Sequence, residues 1–130
     1  MIFSIVIQSA PYSRQAAESA LRFAQALLDA GHSIHRVFFY ADGVQCGNNL
    51  ASPPQDEINL PQHWQQLASE HQLDLVVCIA AAVKRGVLDQ NEAGRYEKSG
   101  HNLADGFELS GLGQLAEATL VSDRVITFGG

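Results

Sequence analysis

The stretch Phe3–Tyr40, FSIVIQSAPYSRQAAESALRFAQALLDAGHSIHRVFFY, decides how the rest of the chain is read. Phe3 to Gln8 is rich in β-branched and apolar side chains and predicts a buried strand. Ser9-Ala10-Pro11-Tyr12-Ser13 breaks it. From Gln15 to Ala30, the residues Ala17, Ala20, Leu21, Ala24, Leu27 and Leu28 recur at helical spacing, with Glu18, Arg22 and Asp29 mostly off that stripe. Gly31 is a natural stop. Ile34 to Tyr40, with Val37, Phe38 and Phe39, predicts a second strand. A strand, a crossover helix and a strand favour a parallel pair with a right-handed connection.

The same alternation continues outward. Asp42-Gly43 marks a turn, and the polar run Gly47–Asn59, with Pro53 and Pro54, predicts a long surface loop. Pro61 suits a first helical position. Trp64, Leu67, Ala68 and His71 share one face, so a helix is expected from Pro61 to about His71 with Trp64 in the core. Asp74 to Ile79 predicts a third strand and Ala80 to Val83 a helical turn. Asp89 to Arg95 reads as a short helix, with Asp89 as cap and Glu92 at the capping-box position. Tyr96 to Phe107 is polar and glycine-punctuated and reads as partly loop. Leu112, Leu115, Ala116 and Leu120 define a last helix opened by Ser110 or Gly111, and Arg124 to Phe128 a closing strand. The pattern predicts one α/β domain over residues 1–130, flavodoxin-like, with a mostly parallel sheet and helices on both faces.

Bulk properties narrow the function. The chain has 130 residues, of which 46 % are hydrophobic and 17 % charged, enough for a single packed core. Its net charge of −6 argues against direct binding of nucleic acid or an anionic membrane, which needs a basic footprint. The N-terminal apolar run lacks a basic flank and is too short for a signal peptide or a membrane span, so a soluble, cytoplasmic protein is expected. Two cysteines, Cys46 and Cys78, make no disulfide framework. Five histidines form no zinc pattern with them, and His32 and His35 need not converge. The first strand-to-helix loop, QSAPYSRQ, has no glycine and is neither a P-loop nor a dinucleotide fingerprint.

Chemistry concentrates in DLVVCIAAAVKRGV, Asp74–Val87. Open parallel sheets place their sites beyond the carboxyl ends of the strands. Cys78 lies at such an end, just before a helical segment, and Lys84 and Arg85 follow. Backbone N–H groups and both cations would favour a thiolate, the reactive form. The competing reading is core packing, because free cysteine is among the most buried residue types and Val76, Val77, Ile79 and Ala80 surround this one. Lys84 and Arg85 read equally as a solvated surface pair. Cys46, in the turn-like stretch DGVQCGNN, is expected to be exposed, without an activating neighbour, and incidental. Asp56, Glu57 and Glu92 read as solvated charges. Gly129-Gly130 invites comparison with thiocarboxylate sulfur carriers, but those open with a hairpin and this chain does not; a frayed end is the simpler reading.

Over nearly its whole length the chain resembles the DsrE/TusD family of sulfur-relay proteins, and within it the TusD type of subunit. The likeness rests on AAESALRFAQALLDAGH, VFFYADGV with the following NNL, CIAAAVKRGV, NEAGR, GFELSGLGQLAEA and SDRVITF, in that order. It implies a flavodoxin-like subunit without a flavin, with the sulfur-carrying cysteine at Cys78. It implies assembly with TusB-like and TusC-like subunits into a heterohexamer with two copies of each. It further implies a cytoplasmic relay toward 2-thiolation of the wobble uridine of tRNA, a TusA-like donor delivering persulfide sulfur and a TusE-like acceptor removing it. The acidic composition agrees with a relay subunit that does not grip tRNA itself. Such persulfide exchange needs no metal or organic cofactor. Lys84 and Arg85 are the candidates for stabilising the thiolate, and Asn48-Asn49 and Gly94–Asn102 are candidate rims of the site or of a partner surface. The alternative is a flavodoxin-like binding or assembly subunit with an inert cysteine.

Overall fold

The computed structural model describes residues 1–130. Five strands and five α-helices alternate along the chain: β1 Ile2–Ile7, α1 Ala16–Asp29, β2 Ser33–Phe39, α2 Leu60–His71, β3 Leu75–Cys78, α3 Ile79–Lys84, α4 Gln90–Arg95, β4 Phe107–Ser110, α5 Gly113–Val121 and β5 Arg124–Phe128. A 3-10 helix spans Ala41–Gly47. The strands form one sheet in the order β4-β3-β2-β1-β5, and every neighbouring pair is parallel. The expected three-layer, flavodoxin-like domain is therefore the observed one, with its own strand order. The chain steps outward from β1 to β4 and returns to the far side of β1 for β5.

That return decides the layers. Right-handed crossovers stepping one way lay their helices on one face, and a crossover stepping back lays its helix on the other. Accordingly α1 and α2 pack against each other. The pleat sends Ile5, Ile7, Val37 and Phe39 toward them, and Phe39 meets the fully buried Trp64 of α2 edge-on at 5.6 Å. Ser4, Arg36, Val6 and Phe38 face α5. There Ser4 Oγ lies 2.7 Å from Ser122 Oγ, and Arg36 Nη1 donates to the Gln114 carbonyl at 2.9 Å and to Glu117 Oε1 at 3.0 Å. The α1 side is thickly covered. The α5 side is thin: Ala118 is the buried residue of α5, while Leu120, at 86 % exposure, points outward.

Most helix ends follow their sequence signals. Gly31 takes the left-handed conformation after α1, Asn59 accepts from the Gln62 N–H at the start of α2, and Asp89 accepts from the Glu92 N–H at the start of α4. Two regions differ from expectation. The polar stretch after β2 does not leave the surface at once; Ala41–Gly47 coils into a 3-10 helix whose Gly43, Val44, Cys46 and Gly47 are buried. Gly43 permits this, because a Cβ there would lie 2.1 Å from the Ile7 carbonyl oxygen. The second difference is β4. Phe107–Ser110 pairs with Leu75–Cys78 along the whole of β3, where the sequence reads as the end of a loop and the start of a helix. At an edge, four residues of alternating polarity carry little strand signal of their own. The last helix accordingly opens later, at Gly113.

Candidate active site

Cys78 is both the last residue of β3 and the residue that precedes the first turn of α3, with extended backbone (φ −61°, ψ 118°). Its pairing with Ser110, and that of Val76 with Glu108, puts Cys78 on the face of the sheet that carries Phe38 and Tyr40. The residue is only 3 % exposed, as the packing reading requires. Yet it also lines a cavity of about 420 Å³, open at the carboxyl ends of β2, β3 and β4. Tyr40 and Ala41 supply one wall, Ile79, Ala80 and Ala81 of α3 another, and Gly111 and Leu112 the third. A thiol at the bottom of an open pocket satisfies both readings: its flanks are packed and one side faces a void of small-ligand size.

Lys84 and Arg85, the two cations singled out in the sequence, line the same cavity as Cys78. Their situations differ. Arg85 is tied down: Nε donates to Asp42 Oδ1 at 2.8 Å, Nη1 donates to the Ala81 carbonyl at 3.2 Å, and its own carbonyl accepts from Gln45 Nε2 at 3.2 Å. Its charge is offset by Asp42, and its role in the fold is to bind the end of α3 to the 3-10 helix. Lys84 takes part in none of the ion pairs of the chain and is exposed at the pocket edge. Of the two, Lys84 is the free charge.

Other predicted positions fall elsewhere. Cys46 is not exposed but fully buried, and burial pushes its thiol from an ordinary 9.0 up to about 12. Asn48-Asn49 and Asn102 do not line the thiol cavity; they form a clamp. The Asn102 side chain accepts from the Leu88 N–H at 2.9 Å and donates to the Gly86 carbonyl and to Asn48 Oδ1, while the Asn49 N–H donates to the Asn102 carbonyl. Within Gly94–Asn102, Arg95, Tyr96 and Lys98 do line cavities beside the site. Glu92 is not a solvated charge: it is 7 % exposed, with Arg95 Nε at 3.7 Å. The thiol cavity also uses Tyr40, Gly111 and Leu112, which sequence reasoning missed. The strand-end rule applied to β2 finds Tyr40; Gly111 and Leu112 depend on β4. At the sheet's switch of direction, the ends of β1 and β5 border only a small cavity of about 180 Å³ without a thiol.

Comparison with known proteins identifies the family. The DsrE/DsrF-like family model matches residues 1–128. A protein of Allochromatium vinosum named "Putative sulfurtransferase DsrE" is 47 % identical over 129 residues, covering 99 % of each chain. The crystal structure of the ychN protein from E. coli superimposes with a TM-score of 0.78 at 27 % identity, over 98 % of this chain and 99 % of that one. With a family model matching residues 1–128 and a relative 47 % identical almost from end to end, the chain belongs to the DsrE/DsrF-like family.

Proposed function

We propose that this protein is a sulfurtransferase subunit that carries sulfur as a persulfide on Cys78. One observation carries the reading: a thiol at the carboxyl end of a central strand lines an open cavity together with an unpaired lysine. The Cys78 thiolate attacks the outer sulfur of a donor persulfide. The donor S–S bond breaks, the donor leaves as a thiolate, and Cys78–S–SH forms with the proton still on the outer sulfur. An acceptor thiolate then attacks that outer sulfur and Cys78 leaves as thiolate. Neither step changes the overall oxidation state, so no external oxidant or reductant is needed. Lys84 favours the anionic sulfur before and after each transfer. The N–H groups of the first turn of α3, which have no intrahelical acceptor, lie next to Cys78 and act in the same sense. The name of the Allochromatium vinosum relative supports the transferase class.

In finer detail, the protein is a TusD-type subunit of a cytoplasmic relay serving 2-thiolation of the tRNA wobble uridine. A TusA-like protein supplies the sulfur and a TusE-like protein takes it. The thin α5 side supports assembly with TusB-like and TusC-like subunits: Leu112, Leu120 and Val121 are all exposed there. No helix is long and apolar enough to cross a membrane. The test is persulfide loading. The protein is treated with a persulfide donor, alone and with its paralogous subunits, and the Cys78 peptide is weighed for one added sulfur atom. Loading in the wild type and none in Cys78→Ser is expected. Equal loading of the two, or none in the assembled wild type, returns the protein to the assembly-subunit reading with an inert cysteine.

A further inference from the structure

The Cys78 cavity is the first of three that run in a row along α3. It shares Ile79, Ala80 and Lys84 with a second of about 420 Å³, to which Val83, Glu92, Arg95 and Tyr96 contribute. The second shares Val83 and Tyr96 with a third of about 250 Å³, which reaches Leu88 and Lys98. Successive cavities have common walls, so they make one track from the thiol to Lys98. Its floor is apolar, and the Tyr96 ring, half exposed, stands at the second junction.

The charge of the track opposes that of the chain. Lys84, Arg85, Arg95 and Lys98 line it, four of the eight basic residues in a protein of net charge −6. Glu92 is its one carboxylate, with Arg95 beside it. The polar cavity beside α1 is different: there Arg14 and Arg22 are outnumbered by Glu18, Asp56 and Glu57. The six residues of α3 extend about 9 Å at ~1.5 Å per residue. An extended segment laid along them covers that distance in about three residues.

We infer that this track docks the thiol-bearing segment of a sulfur-exchange partner as an extended, acidic strand. Its cysteine sits over Cys78, an apolar side chain lies on Ile79 and Val83 beside Tyr96, and its carboxylates face Arg95 and Lys98. The inference rests on Cys78 being the sulfur carrier. A nucleic-acid backbone, the other polyanion, fits less well: outside the track the four other basic residues face thirteen acidic ones, so a long polyanion running beyond it is repelled.

Binding is measured in Cys78→Ser, so that it does not depend on sulfur chemistry. The probe is a fluorescein-labelled heptapeptide with one cysteine, one leucine and two aspartates; its control carries lysines in place of the aspartates. At low salt the acidic peptide is expected to bind about tenfold more tightly, with the preference shrinking as salt is added. Arg95→Glu with Lys98→Glu, both exposed and outside the core, abolishes the preference. Equal binding of the two peptides, no binding of either, a preference that survives charge reversal, or displacement by a single-stranded oligonucleotide as effective as the acidic peptide would each overturn the docking assignment. Persulfide loading of the wild type is scored separately. Loading without peptide preference removes the track alone, whereas peptide preference without loading removes the sulfur-carrier reading and with it the sulfur-exchange identity of the docked segment.

Discussion

The two cysteines differ little in exposure and almost completely in surroundings. Cys46, at 0 % exposure, sits in a 3-10 helix pressed against the end of β1. Cys78, at 3 %, sits where a strand gives way to a helix and a cavity opens. Cys46 is enclosed by core, and its thiol is held protonated up to about pH 12. Cys78 lines an open cavity, and the exposed Lys84, free of any ion pair, lines it too. On the proposed reading of Cys78, fractional exposure does not separate a structural thiol from a chemical one. What separates them is whether the small exposed part faces a space large enough for a partner.

The most severe way to break this contrast is to exchange the roles by mutation. Cys78→Ser should abolish persulfide loading altogether, while Cys46→Ala leaves the loaded fraction of Cys78 unchanged; intact-mass spectrometry after donor treatment reads both. Next in size is protection. With iodoacetamide at neutral pH, Cys78 should alkylate in the folded protein at least ~100-fold faster than Cys46, whose modification waits for opening of the core. Peptide mapping against time gives the ratio, and comparable rates would place both thiols in one class.

A third outcome concerns packing around Cys46. Gly43→Ala should destabilise the protein by roughly 3 kcal/mol or more, since the new methyl group meets backbone rather than a movable side chain. Urea unfolding measures it. The fourth is alkaline. The Cys46 thiol titrates higher in the folded state than in the unfolded chain, so its contribution is complete below the ordinary value of 9.0. It is lost as pH rises toward 12, because the unfolded chain releases its proton first. The expected loss is about 1.4 kcal/mol per pH unit across that window, or about 2 kcal/mol by pH ~10.5. The same slope in Cys46→Ala would assign the effect to other groups. Smallest is the effect of the pocket cations. Lys84→Ala should slow Cys78 alkylation about three- to fivefold, the scale of one exposed charge acting on a nearby anion. Arg85→Ala should act less on that rate and more on stability, because it releases Asp42 and the Gln45 contact.

Much of this contrast was legible in the sequence, and its limits have physical causes. The β1-α1-β2 unit reads directly because period and composition change together at Ser9 and again at Gly31. Asp89 signals its own cap because the bond it makes is local. Cys78 is findable because strand ends in parallel sheets are where sites form. Cys46 was misplaced because polar neighbours suggest exposure, whereas its burial depends on Gly43 lying against a carbonyl some 36 residues earlier in the chain. The strand β4 was missed because its partner, β3, is remote in sequence and supplies most of the reason for it to be extended. With β4 went Gly111 and Leu112, the far wall of the pocket. The different states of Lys84 and Arg85 were equally invisible, since the choice is made by Asp42.

The Asn102 clamp has a consequence for how this surface can change. It closes the neck of the segment Gly86–Asn102, so the intervening residues, α4 among them, form a loop whose ends are pinned independently of what it contains. Once a loop is closed at its base, altering its length costs only slowly rising entropy. The segment behaves as a cassette: the outer cavities can be reshaped for a different partner while β3, α3 and the thiol keep their positions. On the proposed reading, partner choice and sulfur chemistry would reside in separable pieces of one short chain, held together at Asn102.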